Sequence, residues 1–245
     1  MQAFEPNLEY LEVALTYLCN VACANCCALS PQAPPKDRKT EDMNLDDITR
    51  FIHETVQANY RWSWVKLHGG EPTLHPQYKE IVTALAAWRN ASSPGTRLSV
   101  VSNGRSPELV RFAMEHGFTD LVSVKIGTNA APDDKGKLVP LPYVPVNKSP
   151  KDLGVPAPSG CYIAQDCGIA LNKQGFWPCA PAAAAARVFG YDAPVKHVQD
   201  ITAERLKTLY SHCDHCGFAL EGEPRVVDQV YSPTWKSLID RYNED

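Results

Sequence analysis

The segment CNVACANCCA, residues 19–28, places four of the chain's nine cysteines within ten residues. Cys19, Cys23 and Cys26 have the spacing C-x3-C-x2-C directly after an apolar stretch, LEVALTYL. Three thiolates on one tight loop can hold three irons of a [4Fe–4S] cube and leave the fourth iron open to a substrate or cofactor. A zinc ion at the same place asks for a fourth protein ligand, which Cys27 is near enough in sequence to supply. The simpler reading of Cys27 is a small buried hydrophobe. The other thiols come much later: Cys161, Cys167 and Cys179, then Cys213 and Cys216. Two separate thiol sites are the simplest account of that distribution.

The compartment bears on what those thiols do. The N-terminal stretch MQAFEPNLEY has neither a basic n-region nor an apolar h-region, and no apolar run approaches membrane-spanning length. The expectation is a cytoplasmic chain, where cysteines serve as metal ligands or reactive groups rather than as disulfides. A net charge of −4 offers no basic footprint for nucleic acid or an anionic membrane. With 44% hydrophobic and 21% charged residues, 245 residues can bury one substantial core.

The elements that must carry the thiols alternate in type. YLEVALTYL (10–18) reads as a buried strand, followed by a helix over 44–59 with Asn44 as cap and Asp47 completing a capping-box spacing. SWVKLH (63–68) is a second strand, and Pro76 is expected to open the helix containing QYKEIVTALAAW. RLSVVS (97–102) is a third strand. SPELVRFAMEHG (106–117) is a helix with Ser106 as cap, Pro107 in the first turn and Gly117 beyond the end. DLVSVKI (120–126) is a fourth strand. Such alternation implies a parallel sheet with right-handed crossovers. A proline-rich stretch over 131–160 then reads as a packed crossover, with LVPLPYVPVN as an irregular edge strand over the sheet. CGIALNKQGFWPC (167–179) reads as a hairpin turning at NKQG, and the alanines of APAAAAARVFG as a short helix without chemistry.

With a cysteine loop at the end of the first strand, two further motifs follow in order. HGGEP (68–72) ends the second strand and VVSNG (100–104) ends the third. Together the three resemble the radical S-adenosylmethionine (SAM) family across residues 10–127. In that family the strand-end GGEP element binds the amino group of SAM, and the polar third-strand element meets its ribose and carboxylate. The resemblance therefore implies cofactor contacts from Gly69, Gly70, Glu71, Pro72, Ser102 and Asn103. The residue before the third cluster cysteine, aromatic in the family pattern and close to the adenine, is Asn25 here. The implied fold is α/β, a partial (truncated) parallel β/α barrel over residues 1–130. The implied chemistry is reductive SAM cleavage to a 5′-deoxyadenosyl radical that abstracts hydrogen from a substrate.

The later thiols resemble the SPASM/Twitch extensions that carry auxiliary [4Fe–4S] clusters, in particular the short Twitch domain of a radical SAM dehydrogenase of aminocyclitols. The resemblance divides the rest of the chain into a crossover (131–160), a small C-terminal Twitch-like lobe (161–220) and a tail (221–245). Five thiols compete for four positions; the resemblance favours Cys161, Cys179, Cys213 and Cys216, with Cys167 as a substitute ligand or a spare thiol. A structural zinc remains open for the C-x2-C pair. His68 and Lys125, at strand ends, are candidates to face the substrate, as is Asn129; His212 and His215 flank ligands. The expected cofactors are thus SAM and two [4Fe–4S] clusters. The expected partners are a small-molecule substrate and an external electron donor such as flavodoxin or ferredoxin, with no nucleic acid and no membrane. A two-electron oxidation of a sugar or aminocyclitol is expected. The alternatives are a radical epimerase using Cys167, a peptide-modifying enzyme, and a non-enzymatic metal-binding module.

Overall fold

A computed structural model describes residues 4–23, 26–120, 130–132, 138–140, 148–157, 160–220 and 231–244. Its frame is one six-stranded sheet in the order β4-β3-β2-β1-β7-β8. Strands β1 (Tyr10–Thr16), β2 (Trp64–Gly69), β3 (Arg97–Val100) and β4 (Thr119–Asp120) pair in parallel. Leu11, Val13 and Leu15 of β1 turn one face toward helices α2 (Leu45–Gln57) and α3 (Tyr78–Ser92), packing with Ile48, Phe51, Ile81 and Leu85 in the main core. The alternate positions Glu12, Ala14 and Thr16 face the other way, as a period of two requires.

The local signals act largely as expected. Asn44 accepts the Asp47 amide and Asp47 accepts the Asn44 amide, both at 2.9 Å, so a full capping box starts α2. A four-residue helix, α1 (Arg38–Glu41), precedes it. Helix α4 (Pro107–Glu115) has proline in its first turn, and Gly117 leaves it at a φ of +80°. Two details differ. Pro76 does not open α3, which begins at Tyr78 after a 3-10 turn at Pro72–Leu74. The Ser106 side chain makes no capping bond, because the Leu109 and Val110 amides go to its own carbonyl.

The segment assigned to a C-terminal lobe shares the sheet. Its hairpin forms as expected, β7 (Ile169–Asn172) against β8 (Gly175–Trp177), but β7 also pairs in parallel with β1, Leu11 opposite Ile169. Gly168, at a φ of +90°, makes this pairing possible: a Cβ there would lie 2.3 Å from the Tyr10 carbonyl. The crossover contributes β5 (Ala130–Pro132) and β6 (Leu138–Pro140), which pair with each other in a separate two-stranded sheet rather than as an edge of the main one. Prolines at 132 and 140 have no amide to donate, which keeps that ladder short. Of the fourth expected strand only Thr119–Asp120 is described; the rest of 120–126 lies outside the described residues.

Beyond α5 (Tyr162–Asp166) and the hairpin, helix α6 (Ala180–Phe189) buries nearly every side chain. Its alanines let it lie close against β7 and β8, with Ala182, Ala183 and Ala186 on Ala170 and Trp177. Helices α7 (Ala203–Lys207) and α8 (Pro233–Glu244) complete the chain. Among the described residues no helix is long and apolar enough to cross a membrane.

Candidate functional site

All three strand-end motifs converge at the carboxyl edge of β1, β2 and β3. Cys19, Cys23 and Cys26 lie on the loop after β1, each partly exposed. The loop is tied down on both sides: the Gln32 amide donates to the Cys23 carbonyl at 3.0 Å, and Arg105 donates to the Asn20 carbonyl at 2.9 Å. Leu29 leaves the loop in the left-handed region at a φ of +56° while 1% exposed, a strained turn that the sequence does not announce.

Glu71 joins the second motif to the third. It is fully buried; Oε1 accepts the Thr73 hydroxyl at 2.7 Å and the Ser102 hydroxyl at 2.8 Å, and Oε2 accepts the Asn103 amide at 2.7 Å. Asn103 in turn donates to Asn20 Oδ1 at 2.8 Å and lies 3.9 Å from the Cys19 sulfur. The glycines before Glu71 serve the same stitching. The Gly70 amide reaches the Thr16 carbonyl at 2.7 Å, and the Glu71 amide reaches the Leu18 carbonyl at 2.8 Å. A Cβ on Gly69 or Gly70 would come within 2.3 Å of those same carbonyls. Close backbone approach is what the glycines supply, and it is made to the cysteine loop. Pro72 is buried at the start of the following 3-10 turn.

His68 sits on β2 opposite Ala14, at the same edge, half-buried. Asn25, Lys125 and Asn129 lie outside the described residues. Cys167 does not join the group. It precedes Gly168, which abuts Tyr10 at the start of β1, whereas Cys19 follows the end of β1. The length of that strand, about 20 Å, separates the two. There the Cys167 carbonyl accepts Lys66 Nζ at 2.7 Å, and Lys66 is itself paired with Glu12 at 3.0 Å. Sequence reasoning missed this buried pair, although charges inside two apolar strands were a visible signal.

The other four of the five later thiols do come together. Cys161, Cys179, Cys213 and Cys216 line one cavity, with Tyr210 and His212 beside them; Cys167 is not among its walls. Each sulfur receives a backbone amide, from Ile163, Ala182, Gly160 and Phe218 respectively. Burial raises the pKa of all four sulfurs, Cys213 to about 12, and neighbouring thiols add to the rise at Cys179, Cys213 and Cys216. His212 gives its Nδ1 to the Leu209 carbonyl at 2.8 Å, leaving Nε2 3.6 Å from the Cys179 sulfur and 3.8 Å from that of Cys213. Burial lowers its pKa to about 4.

Both donor sets fit iron–sulfur ligation. Thiolates with backbone amides pointed at sulfur are the ligand chemistry of such clusters, and α6 directs its amino terminus at Cys179. The buried Tyr210 hydroxyl has no hydrogen-bond partner among the described residues and lines the second cavity, where a cluster sulfur would accept it. Among the described residues no three His, Cys, Asp or Glu side chains converge on a point as a single metal ion requires. The four thiols surround a space instead.

Residues 13–144 match the Radical SAM superfamily, over half of the chain and all three strand-end motifs. The chain belongs to the radical SAM superfamily. Among curated members, GTP 3',8-cyclase of Stenotrophomonas maltophilia (strain R551-3) is 30% identical over 102 residues, 41% of this chain and 28% of that protein. Mycofactocin maturase MftC of Mycobacterium tuberculosis (strain CDC 1551 / Oshkosh) is 30% identical over 136 residues, 54% of this chain and 31% of that protein. The match thus spans under a third of the length of either relative. The crystal structure of BtrN in complex with AdoMet and 2-DOIA shares the α/β fold, with a TM-score of 0.50 at 13% identity, covering 93% of this chain and 98% of that chain. Membership of the radical SAM superfamily implies SAM and a [4Fe–4S] cluster, and the Cys19–Cys26 loop is where three thiols could hold one.

Proposed function

We propose that this radical SAM protein oxidises a small polar substrate by two electrons. Cys19, Cys23 and Cys26 hold the SAM-cleaving cluster, and Cys161, Cys179, Cys213 and Cys216 hold an auxiliary [4Fe–4S] cluster. When bound, SAM and its cluster supply a 5′-deoxyadenosyl radical for hydrogen abstraction, and the auxiliary cluster an acceptor for the second electron. The chain's own residues position and exclude. Gly69 and Gly70 let β2 close on the cysteine loop, and Glu71 fixes Ser102 and Asn103 as the wall that faces SAM. His68 stands at the end of β2, on the side proposed for the substrate.

One observation carries the oxidative reading: four thiols, three buried and Cys161 half-buried, each met by a backbone amide, line one cavity that excludes Cys167. A spare thiol returning hydrogen would serve epimerisation, and Cys167 lies at the far end of β1 from the SAM motifs. The BtrN complex holds 2-DOIA, and a substrate of that small polar kind suits this chain. A flavodoxin or ferredoxin would deliver the reducing electron.

Iron and sulfide analysis after anaerobic reconstitution tests the reading. About eight irons per chain are expected. Replacing Cys19, Cys23 and Cys26 by alanine should remove about half of them and all formation of 5′-deoxyadenosine. Four irons in the wild type, or 5′-deoxyadenosine from the triple variant, would overturn it.

A further inference from the structure

A second cavity opens at the carboxyl ends of β1 and β7, beside the SAM motifs but lined by none of their residues. It has a volume of about 230 Å³, and its walls include Tyr17, Glu41, Lys173, Gln174, Arg187 and Tyr242. Tyr17 packs in one apolar cluster with Cys26 and Cys27, so this cavity and the cysteine loop share a wall.

Its hydrogen-bonding capacity is unbalanced. Glu41 is fully engaged: it accepts the Lys36 amide at 2.8 Å, Arg187 Nε at 2.6 Å and the Tyr242 hydroxyl at 3.1 Å. The Arg187 side chain is only 5% exposed. Its Nη2 donates to the Ala33 carbonyl and to Tyr242, and its plane lies over the Tyr17 ring at 3.9 Å. Nη1, however, is buried with no partner among the described residues. Tyr17 adds a second unspent donor. Asn172 Oδ1 accepts from Gln174, Gly175 and Trp177, which fixes its Nδ2 as the donor to the Tyr17 hydroxyl. Tyr17 thus accepts there, and among the described residues its own proton goes to no acceptor.

A guanidinium edge and a phenol proton left unpaired in a buried cavity cost free energy unless a ligand brings acceptors. Each wall cation already meets a carboxylate, Arg187 at Glu41 and Lys173 at Asp47, so what the cavity offers an anion is the unpaired Arg187 Nη1 and Tyr17 proton rather than net charge. Lys173 reaches Asp47 at 2.5 Å, so its ammonium is held in place at the turn. The Gln174 Oε1 is also buried without a partner among the described residues, an acceptor waiting for a hydroxyl or ammonium.

We propose that this cavity binds the oxyanion of the substrate, a carboxylate or phosphate held by Arg187, Tyr17 and Lys173, with a neighbouring ligand hydroxyl or amine on Gln174. This rests on the oxidative reading above and narrows its substrate to an anionic, hydroxylated small molecule. The fork of Arg187 suits two acceptor oxygens of one group.

Calorimetry on the anaerobically reconstituted chain, without SAM, tests it with gluconate, inorganic phosphate and uncharged glucose as probes. Binding of gluconate places a carboxylate on the substrate, and binding of phosphate places a phosphate; either supports the proposal. Tyr17→Phe and Lys173→Gln should each weaken the bound anion about tenfold. Tyr17→Phe is the cleaner of the two, because Lys173→Gln strips Asp47 of a partner, as Arg187→Gln would strip Glu41 and endanger the fold. No binding by either anion, equal binding of glucose, or anion binding untouched by both variants would overturn it. Because SAM takes no part, failure here leaves the 5′-deoxyadenosine result intact, and failure there leaves this titration readable.

Discussion

Glu71 Oε2 accepts the backbone amide of Asn103 at 2.7 Å, across 32 residues of chain. With Oε1 on Ser102 and Thr73, this one carboxylate welds the ends of β2 and β3 beneath the cysteine loop. Glu71→Ala leaves two hydroxyls and two amides without that acceptor. Charged hydrogen bonds of this kind contribute roughly 1.5–3 kcal/mol each, so a stability loss of at least about 3 kcal/mol is expected in urea unfolding. Glu71→Gln keeps an acceptor oxygen and should lose less. Equal losses for the two variants would contradict the charge-assisted account.

Gly70 and Gly95 make opposite demands on their surroundings. A Cβ on Gly70 would stand 2.3 Å from the Leu18 carbonyl, backbone against backbone, while one on Gly95 meets nothing within 4 Å. Gly70→Ala is therefore expected to push the cysteine loop off β2 and lower iron incorporation at Cys19, Cys23 and Cys26. Gly95→Ala should match the wild type in iron content and melting temperature. Iron content of the purified variants decides it.

Much of this was legible in the chain. The capping box at Asn44 and Asp47, the hairpin at NKQG and the three strand-end motifs are local signals, and each formed as read. Placement of β7 beside β1 was not legible, since it depends on Gly168 approaching Tyr10 across more than 150 residues, a contact with no local pattern. The place of Cys167 was not legible for the same reason: its spacing from Cys161 leaves it a substitute ligand or a spare thiol, and only the strand register shows which end of the sheet it occupies. Arg187 was passed over because the alanines around it read as bland helix. A single arginine in an otherwise apolar, wholly buried segment was the available signal.

Cys167 and Lys66 meet at the floor of the sheet, and two substitutions there should part stability from chemistry. Cys167→Ala removes a thiol whose pKa burial has raised to about 11 but leaves the carbonyl that Lys66 uses. Iron content and product formation should both stay at wild-type levels. Lys66→Met instead strands Glu12, 9% exposed, without its partner, at an expected cost of about 3–5 kcal/mol. The double variant Glu12→Leu, Lys66→Met should recover most of that loss. Denaturant melts of the three variants check this, and a Lys66→Met melt indistinguishable from wild type would show that the pair is not buried in solution.

The thiol-lined cavity gives the metal-stripped chain a distinctive response to alkali. Burial raises all four sulfurs there above the ordinary thiol range, Cys213 to about 12, because no thiolate is solvated in that cavity. In the unfolded chain the same thiols ionise near the ordinary thiol value of 9.0. Above that pH the unfolded state has released protons that the folded state still binds, so the raised pKa values favour folding less and less as pH climbs from about 9 to about 12. Below about 9 both states are protonated and the contribution is complete. The denaturation midpoint of chelator-stripped protein should therefore be level from pH 7 to 8 and fall steadily above about 9. On the proposed ligation a cluster-loaded chain would hold the four sulfurs as bound thiolates with no such protons to lose, so its midpoint should stay level above about pH 9. Its weakness lies on the acid side, where protons compete with iron for sulfur. Denaturation of stripped and reconstituted protein at pH 7, 9 and 10.5 separates the two curves. A common alkaline decline in both would show that these four thiols are not the cluster ligands.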